Sequence, residues 1–491
     1  MSNLKIPTKI SDISKYLTEK IDSDDVKLHQ FSCENKNFLL FYIDCLTDKN
    51  ALSLNVLKPL KTLCKFDFES VSKTLNAPEM KVLTTLPETL TNCFDGNAIL
   101  FIDGESKAIS LGYKKYPMRA VQEPPTSITL RGPREGFVEC LNTNLSLVRR
   151  RVKSTKLKIE FLTVGKYSQT KIALCSVDGV AKDGLREQIL EKLNTLSIDN
   201  IPDSSYIAKH LTKDKTSIFK EIGTTEKPDV FCAKIMEGRI GLIVDGSPFV
   251  LTMPYVLLED FQAPDDYYSL SYRSTAVRIL RIFSVMVAIL LPGLFVSAEL
   301  FHLQLLPLSF LLTIVNSIKG IPLSPSFEMF FTLTIFEILN EASIRMPKYV
   351  GMAVSIVGGL VLGETAVTAG IISAPTLMIV AVSGICLYTV PEMVQTFSVL
   401  RLMFLLSAGS FGGYGMILVG VGVVIYLVSA ESFGTPILAP FAPLIIKDHK
   451  DAIYKGFFAE NTFRPKTFGS KNKTRIKIFK TKTKNKEENQ L

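Results

Sequence analysis

The pattern of apolar and polar residues divides the chain into two parts near Ile279. Up to about Tyr272, apolar and charged residues are mixed as in an ordinary soluble, folded region. From Ile279 onwards the chain contains long apolar runs, and roughly 20 apolar residues are enough for a helix to cross a bilayer. The sequence therefore predicts a large soluble region followed by a helical membrane region.

Three long apolar stretches carry the membrane prediction. Residues Ile279–Leu300 have a charge only near each end, and Leu402–Ala430 has none. The stretch Tyr349–Tyr388 is interrupted at Gly363-Glu364 and again at Ala374-Pro375, which favours two helices with a turn near Gly363. We expect about four spans.

A shorter apolar segment, Leu303–Ile318, is ambiguous. It contains Pro307 and is short for a bilayer, so a re-entrant or interfacial segment is as compatible with it as a span. The span count therefore has a range of two in either direction.

Within the soluble half, an apolar strand-like run ending in Asp recurs four times. The runs are 38–44 (FLLFYID), 97–111 (NAILFIDGESKAISL), 171–180 (KIALCSVDGV) and 238–252 (GRIGLIVDGSPFVLT). Three of them continue Asp-Gly, a turn signal that favours a hairpin. A helical pattern at Gly184–Leu196 lies between the third and fourth runs.

This recurrence predicts two related α/β subdomains, with the proline-containing segment Gln122–Ser127 at their boundary. A chance recurrence of a common strand-and-turn pattern is the alternative. The predicted fold class is an α/β cytoplasmic N-terminal region plus an α-helical polytopic membrane domain. The predicted divisions are 1–130, 131–265, a helical domain at 266–446, and a basic, disordered tail at 447–491.

Charge sets the expected orientation. The tail from Lys447 carries 13 basic and 5 acidic residues, a net +8 out of +9 for the whole chain. Short basic segments beside a span tend to stay in the cytoplasm. With Arg273, Arg278 and Arg281 at the start of the first span, both termini should be cytoplasmic, which requires an even number of spans.

Catalytic and metal-binding patterns are not found in the sequence. It has no phosphate-binding loop, no nucleophile elbow and no paired-histidine zinc helix, and its four histidines are far apart. Its eight cysteines form no close pair that would favour zinc or a disulfide framework. We expect no enzyme activity, no cofactor, no metal site and no nucleic-acid binding.

A more distinctive segment begins at Arg131 and reads RGPREGFVECLNTNLSLVRRR. Pro133 fits a helix start, the apolar residues from Phe137 to Val148 recur at helical spacing, and three arginines stand at the C-terminal end. The pattern predicts a packing helix with a solvated basic end.

This segment, together with 228–268 (PDVFCAKIMEGRIGLIVDGSPFVLTMPYVLLEDFQAPDDYY) and 336–367 (FEILNEASIRMPKYVGMAVSIVGGLVLGETAV), resembles the A subunits of GerA-type spore germinant receptors. The resemblance covers about Val121 to Pro443. The motif residues, as we call them below, are Arg131, Gly132, Pro133, Arg134, Glu135, Asp245 and Gly246.

The resemblance implies a function. Such A subunits lie in the inner membrane of endospores and assemble with a transporter-like B subunit and a lipoprotein C subunit. The resemblance also implies a homo-oligomeric ring of A subunits that conducts monovalent cations at the start of germination, while the B subunit binds the nutrient. The related SpoVAF-type proteins share this architecture, and support ion release without being nutrient receptors.

Four polar residues of the membrane half are candidates for an ion pathway. Glu337, Glu341 and Arg345 recur every four residues on a helical pattern, and Glu341 to Arg345 is the favourable order for an ion pair. Their face could line an aqueous vestibule in a ring or lie at the membrane surface. Glu364 is either a carboxylate at membrane depth or part of an interfacial turn.

Gly359 and Gly363 form a small-residue pair that favours close helix packing, and we consider it a candidate for contact between subunits. The basic tail could contact anionic lipid. Alternatives to a cation-conducting subunit are a secondary transporter, for which no duplication is found in the membrane half, and a membrane-anchored scaffold.

Overall fold

A computed structural model describes most of the chain. The described residues are 4–34, 36–63, 66–115, 129, 131–347, 350, 359, 363–457 and 462–475. The predicted boundary segment Gln122–Ser127 lies outside them, as does much of the apolar stretch that begins at Tyr349.

The first α/β domain is built on an antiparallel sheet in the order β1-β2-β4-β5-β3. Side chains alternate between the two faces of a strand, so the apolar run of β2 can pack against helices on both sides. Phe41 faces one helical layer and Leu40 faces the other, and both are buried. The elements are β1 (Val26–Cys33), β2 (Lys36–Ile43), β3 (Met80–Leu83), β4 (Ala98–Ile102), β5 (Ala108–Leu111), α1 (Ile10–Lys20), α2 (Lys49–Leu52), α3 (Lys58–Lys61), α4 (Phe68–Thr74) and α5 (Leu86–Phe94).

The second α/β domain repeats this design with a sheet in the order β6-β7-β9-β10-β8. The two orders match position by position, so the prediction of two related α/β units is confirmed. The elements are β6 (Leu157–Val164), β7 (Thr170–Val177), β8 (Gly223–Thr225), β9 (Ile240–Val244), β10 (Val250–Met253), α6 (Leu141–Arg151), α7 (Leu185–Asn194), α8 (Ser204–Leu211) and α9 (Pro228–Met236).

The recurring Asp-Gly pairs have two different roles. Asp103-Gly104 and Asp245-Gly246 close the hairpins that follow β4 and β9, and both glycines have positive φ values of 84° and 88°. Asp178-Gly179 does not close a hairpin as predicted. It follows β7 and leads towards α7. The next neighbour of β7 in the sheet is β9, which begins over sixty residues later, so no hairpin can form at this turn.

The helical region follows the second sheet. Within the described residues, two helices are long and apolar enough to cross a membrane, Ser271–Phe301 and Pro391–Ser429. The elements are α10 (Asp265–Tyr268), α11 (Ser271–Phe301), α12 (Leu308–Ile318), α13 (Pro325–Arg345), α14 (Gly363–Thr368), α15 (Ala374–Leu387), α16 (Val394–Ser429), β11 (Glu431–Ser432) and β12 (Thr435–Pro436).

The chain reverses direction in the middle of α16. Gly412 has a non-helical conformation, with φ 61° and ψ −147°. A Cβ on Gly420 would lie 3.9 Å from the Phe404 ring, although 16 residues of straight helix would separate these positions by about 24 Å. The apolar stretch Leu402–Ala430, predicted as part of one span, is therefore a hairpin with arms 394–411 and 413–429.

Both ends of this hairpin return to the second α/β domain. Thr396 Oγ1 donates a hydrogen bond to the carbonyl of Ile218 at 2.9 Å, and Tyr426 Oη donates to Asp214 Oδ2 at 3.1 Å. Helix α11 also begins beside this domain and ends at Phe301, whose ring lies against Gly412. The helical region thus starts and finishes on the side of the soluble domains.

Three local predictions are wrong. The helix predicted from Pro133 begins only at Leu141, because residues 131–140 form an extended segment along the domain. The turn predicted near Gly363 is helical, and the chain turns instead around Gly370, which has a φ of 66°. In the segment expected to be disordered, Lys471 is ordered by a hydrogen bond from its backbone N–H to the carbonyl of Val180.

Candidate functional site

The motif residues connect the second α/β domain to the start of the helical region. The backbone N–H of Arg131 donates to Asp265 Oδ1 at 3.2 Å. Gly132 has a φ of 120°, and a Cβ on it would lie 2.6 Å from the ring of Tyr268. Asp265 and Tyr268 belong to α10, immediately before α11. Only a glycine leaves room for this contact.

Two further motif residues, Asp245 and Glu135, stabilise the beginning and the end of α6. Asp245 Oδ1 accepts a hydrogen bond from the N–H of Leu141 at 3.0 Å, and thereby caps a helix whose own N-cap residue makes no such bond. Glu135 accepts hydrogen bonds from Arg150 and from Arg151. Three further motif residues lie close by: Pro133 is half-buried, Arg134 is exposed, and Gly246 N donates to the Glu139 carbonyl at 2.8 Å.

The hydrogen bond from the N–H of Leu141 to Asp245 predicts a measurable effect on stability. Asp245→Ala should lower the free energy of unfolding by about 1 kcal/mol, because the first N–H of α6 loses its acceptor. Asp245→Asn is the matched control, since its amide oxygen can still accept the bond. Thermal unfolding of the full chain in detergent measures both variants, and equal losses for the two would contradict the capping role.

The basic end of α6 is not solvated as predicted. Arg149 is 1% exposed and forms a two-point ion pair with Asp25 of the first domain, Nε to Oδ2 at 2.7 Å and Nη2 to Oδ1 at 2.6 Å. Nη2 also donates to Ser23 Oγ at 2.7 Å. The pair joins the two α/β domains through a site shielded from solvent.

A second buried ion-pair cluster holds the first turns of α11. Asp266 is 2% exposed and accepts from Arg278 Nε at 3.1 Å and from Arg281 Nη1 at 2.7 Å. Arg278 Nη1 also donates to the carboxylate and the carbonyl of Asp451, which lies beyond the last long apolar helix. We call Asp266, Arg278, Arg281 and Asp451 the junction cluster.

Beside the junction cluster, Glu259 links two cations of the second domain. Lys234 Nζ donates to Glu259 Oε1 at 2.9 Å, and Arg239 Nη1 donates to the other oxygen. Burial alone would raise the pKa of the Glu259 carboxyl, but these two cations outweigh it and hold the pKa below its usual range. Burial raises the pKa of the adjacent Asp260, which accepts from Tyr255 Oη at 2.8 Å.

In the helical region, Glu337 has an unpredicted partner. Arg401 is 2% exposed, and its Nη2 lies 2.5 Å from Glu337 Oε1. Ser383 Oγ accepts a hydrogen bond from Arg401 Nη1 at 3.2 Å, and Ser398 donates to Glu337. Arg401 immediately precedes the apolar stretch that begins at Leu402, and a charge at membrane depth is the signal that could have identified it.

Glu341 and Arg345 form the predicted ion pair, Nη2 to Oε1 at 2.5 Å, on the last turns of α13. Their side chains are 61% and 77% exposed, whereas that of Glu337 is 37% exposed. The three residues therefore lie on one helix but in two surroundings. Glu337 points to a buried arginine, and the Glu341–Arg345 pair is open.

Glu328 is a further acid that the sequence reasoning missed. Its side chain lies at the other end of α13, and residue 328 is 1% exposed. Glu328 Oε1 accepts from the N–H and the hydroxyl of Ser373, both at 2.7 Å, at the N-terminus of α15. An acid at this position suits the positive end of the helix dipole.

The other predicted site residues lie apart from these acids. Glu364 is exposed on α14. A Cβ on Gly363 would lie 3.3 Å from Leu377 of the same chain, so this glycine packs α14 against α15. No described atom lies within 4 Å of the corresponding position on Gly359, and a role for Gly359 in subunit contact stays a prediction.

These features define a class of protein: a duplicated α/β region joined by buried ion pairs to a helical region with membrane-length apolar helices. Comparison with known proteins gives the family. The chain belongs to the GerA family of spore germination proteins, because the family described as Bacillus/Clostridium GerA spore germination protein matches residues 12–467. The resemblance seen in the motif segments is thereby confirmed.

Relatives match along most of their length. Spore germination protein KA of Bacillus subtilis is 32% identical over 484 residues, which cover 96% of this chain and 88% of the relative. Spore germination protein B1 of Bacillus subtilis is 32% identical over 441 residues, with coverages of 88% and 91%. The uncharacterized membrane protein YfkQ of Bacillus subtilis is 34% identical over 406 residues, with coverages of 82% and 79%.

One solved structure is similar to the soluble half. It is the crystal structure of the N-terminal domain of the A subunit of the Bacillus megaterium spore germinant receptor GerK3. The two chains are 22% identical with a TM-score of 0.38, and the match covers 51% of this chain and 97% of that one.

Proposed function

We propose that this chain is the A subunit of a nutrient germinant receptor of bacterial endospores and forms a cation-conducting oligomer in the spore inner membrane. Its proposed partners are further copies of itself in a ring, a transporter-like B subunit and a lipoprotein C subunit. The transported species are monovalent cations, and no catalytic role is proposed. Membership of the GerA family supports the assignment to spore germination.

One observation carries the pathway proposal: Glu341 and Arg345 project from the helical region with most of their side-chain surface open. A charge that faces lipid is strongly unfavourable, so this end of α13 requires water. A ring of subunits would supply it as an aqueous vestibule, in which repeated carboxylates attract cations. An interfacial position at the edge of the membrane is the competing arrangement.

The proposed orientation places both termini in the cytoplasm. The hairpin of α16 returns to the second α/β domain, next to the start of α11, which supports an even number of crossings. The basic tail and the arginines at the start of α11 suit the cytoplasmic side of the membrane.

Substitution of Glu341, the acid of the exposed pair, tests whether this end of α13 lines a cation pathway. At 4 Å in water, one charge changes the energy of a nearby cation by about 1 kcal/mol, so Glu341→Gln should slow nutrient-triggered potassium release about fivefold. Arg345→Gln removes the opposing charge and should speed the release. Potassium efflux from spores, normalised to the abundance of the protein, measures both variants.

The matched control is Glu69→Gln in the first α/β domain. Glu69 and Lys73 form a similar exposed pair, four residues apart at 2.7 Å, but lie in the soluble part of the chain. This variant should release potassium at the normal rate. Unchanged release in both Glu341→Gln and Arg345→Gln would remove the support for a pathway along α13.

A further inference from the structure

The chain returns to the second α/β domain after its last membrane segment. Residues 446–475, which we call the C-terminal strap, contact both the start of α11 and the underside of this domain. The strap is described at 446–457 and 462–475. Its contacts form three groups, which we call the root, the bend and the latch.

The root holds α11 through buried polar groups. The carbonyls of Asp451 and Ala452 accept hydrogen bonds from Arg278 Nη1 at 3.0 and 2.9 Å. The N–H of Lys455 donates to Thr275 Oγ1 at 3.1 Å, and its ammonium group lies 3.9 Å from the centre of the Tyr267 ring. The root is therefore fixed to the first two turns of α11.

The bend is formed by hydrogen bonds to Asp448. Its carboxylate accepts hydrogen bonds from the N–H groups of Lys466 and Thr467 at 3.0 and 2.8 Å, and from the Thr467 hydroxyl at 2.7 Å. These bonds turn the later part of the strap back towards the second α/β domain.

The latch is centred on Phe468. This side chain is 4% exposed and packs with Val256 and Ala439. The guanidinium of Arg239 lies 4.0 Å from the centre of its ring, and Ser470 Oγ donates to the carbonyl of Glu237 at 2.9 Å. Beyond this ring and the buried Arg239, the latch is held by hydrogen bonds to backbone carbonyls and by the exposed pair of Lys471 with Asp183. The root instead contains the ion pairs of Arg278 with Asp266 and Asp451, so the latch is the weaker end of the strap.

A single residue, Arg239, connects the latch to the segment that leads into α11. Arg239 stacks on Phe468 and also donates to Glu259, and Glu259 lies shortly before α10. A movement of α11 relative to the second domain must therefore break the root contacts or open the latch. Since the root is buried and charged, opening of the latch is the easier step.

We propose that the C-terminal strap is an autoinhibitory clamp that keeps the cation pathway closed until the latch around Phe468 opens. The clamp rests on the proposed function, because its effect is on the pathway. The docking of the strap is nevertheless measurable without any ion flow.

Docking is measured with a carbodiimide cross-link on the purified full chain. Lys471 Nζ lies 2.5 Å from Asp183 Oδ1, at the surface, so a docked strap gives a cross-linked peptide between residues 183 and 471. The exposed pair of Lys153 with Asp95, at 2.7 Å, lies away from the strap and serves as the control cross-link. Phe468→Ala should reduce the first cross-link at least about tenfold and leave the second unchanged.

The effect of the strap on the cation pathway is measured as the rate of potassium release from spores without nutrient. We expect Phe468→Ala to raise this rate at least about tenfold, because burial of the phenyl ring is what holds the latch closed. Phe463→Ala is the matched control, since Phe463 is in the same strap but is 67% exposed. It should behave as the unmodified chain does.

Two results would overturn the clamp: a 183–471 cross-link missing from the unmodified chain, or a cross-link lost in Phe468→Ala with no rise in nutrient-independent release. If Phe468→Ala fails to accumulate, a chain ending after residue 461 replaces it, with a chain ending after residue 475 as control. If the unmodified chain contributes nothing to nutrient-triggered release while the cross-link forms, the proposed function fails, and the clamp falls with it.

Discussion

Arg149→Met is expected to lower the free energy of unfolding by about 3–5 kcal/mol, because it leaves a buried carboxylate without its partner. Asp25 is 1% exposed, and Arg149 supplies two of its hydrogen bonds. Ser23 Oγ also donates to Asp25 at 2.6 Å, but a hydroxyl does not compensate a full charge. Chemical denaturation of the full chain in detergent measures the loss.

The control for Arg149 is Lys153→Ala. Lys153 pairs with Asp95 at 2.7 Å, and this pair also links the second α/β domain to the first. Its side chains are 53% and 40% exposed, so its removal should cost at most about 1 kcal/mol. The double variant Arg149→Met with Asp25→Leu should recover most of the loss. A cost for Arg149→Met no larger than that for Lys153→Ala would contradict the buried pair.

Arg401→Met is expected to destabilise the helical region by about 1–3 kcal/mol, less than the loss for Arg149→Met, because the Glu337 side chain that it leaves without its partner is 37% exposed. Glu337 would keep its charge in the helical region, together with the hydrogen bond that it accepts from Ser398. Loss of heat resistance of the detergent-solubilised protein, followed by size-exclusion chromatography, measures the effect. Arg345→Met is the matched control, because Arg345 belongs to an exposed pair, and it should lose little.

The ion pair of Glu337 with Arg401 also determines how variants of the proposed cation pathway must be designed. Glu337→Gln would leave Arg401 unpaired, so reduced ion release from that variant could reflect misfolding. Neutralising both residues, as Glu337→Met with Arg401→Met, should restore heat resistance. A double variant as unstable as Arg401→Met alone would exclude the ion pair as the cause.

The sheets could be predicted from the sequence because their signals are local. The runs at 38–44 and 171–180 overlap most of β2 and β7, and those at 97–111 and 238–252 cover the hairpins β4–β5 and β9–β10 to within one residue. Strands covered on both faces read as continuous apolar runs, and Asp-Gly marks the tight turns. The matching strand order then follows from the repeat of these signals.

The site could be predicted only in part, because its partners are distant along the chain. Arg149 meets Asp25 across 124 residues, and Glu337 meets Arg401 across 64. A local pattern at the end of α6 therefore indicated a solvated basic end. The pair of Glu341 with Arg345 was predictable, since both residues lie on one helix four positions apart.

The reversal at Gly412 was missed for a related reason. Several glycines occur in this part of the apolar stretch, and local composition does not tell which of them will adopt a positive φ. The reversal depends on Phe301, against which the turn packs from another helix. The Phe468 latch likewise depends on Arg239, far away in the second domain.

Single-channel recording of the purified full chain in a planar bilayer tests directly whether it forms a cation-conducting oligomer. We expect discrete potassium currents that exclude anions and that become smaller in Glu341→Gln but not in Glu69→Gln. Saturable flux that depends on a substrate would indicate a transporter. The absence of any current from correctly assembled protein would leave a scaffold, and either result would contradict cation conduction by this chain.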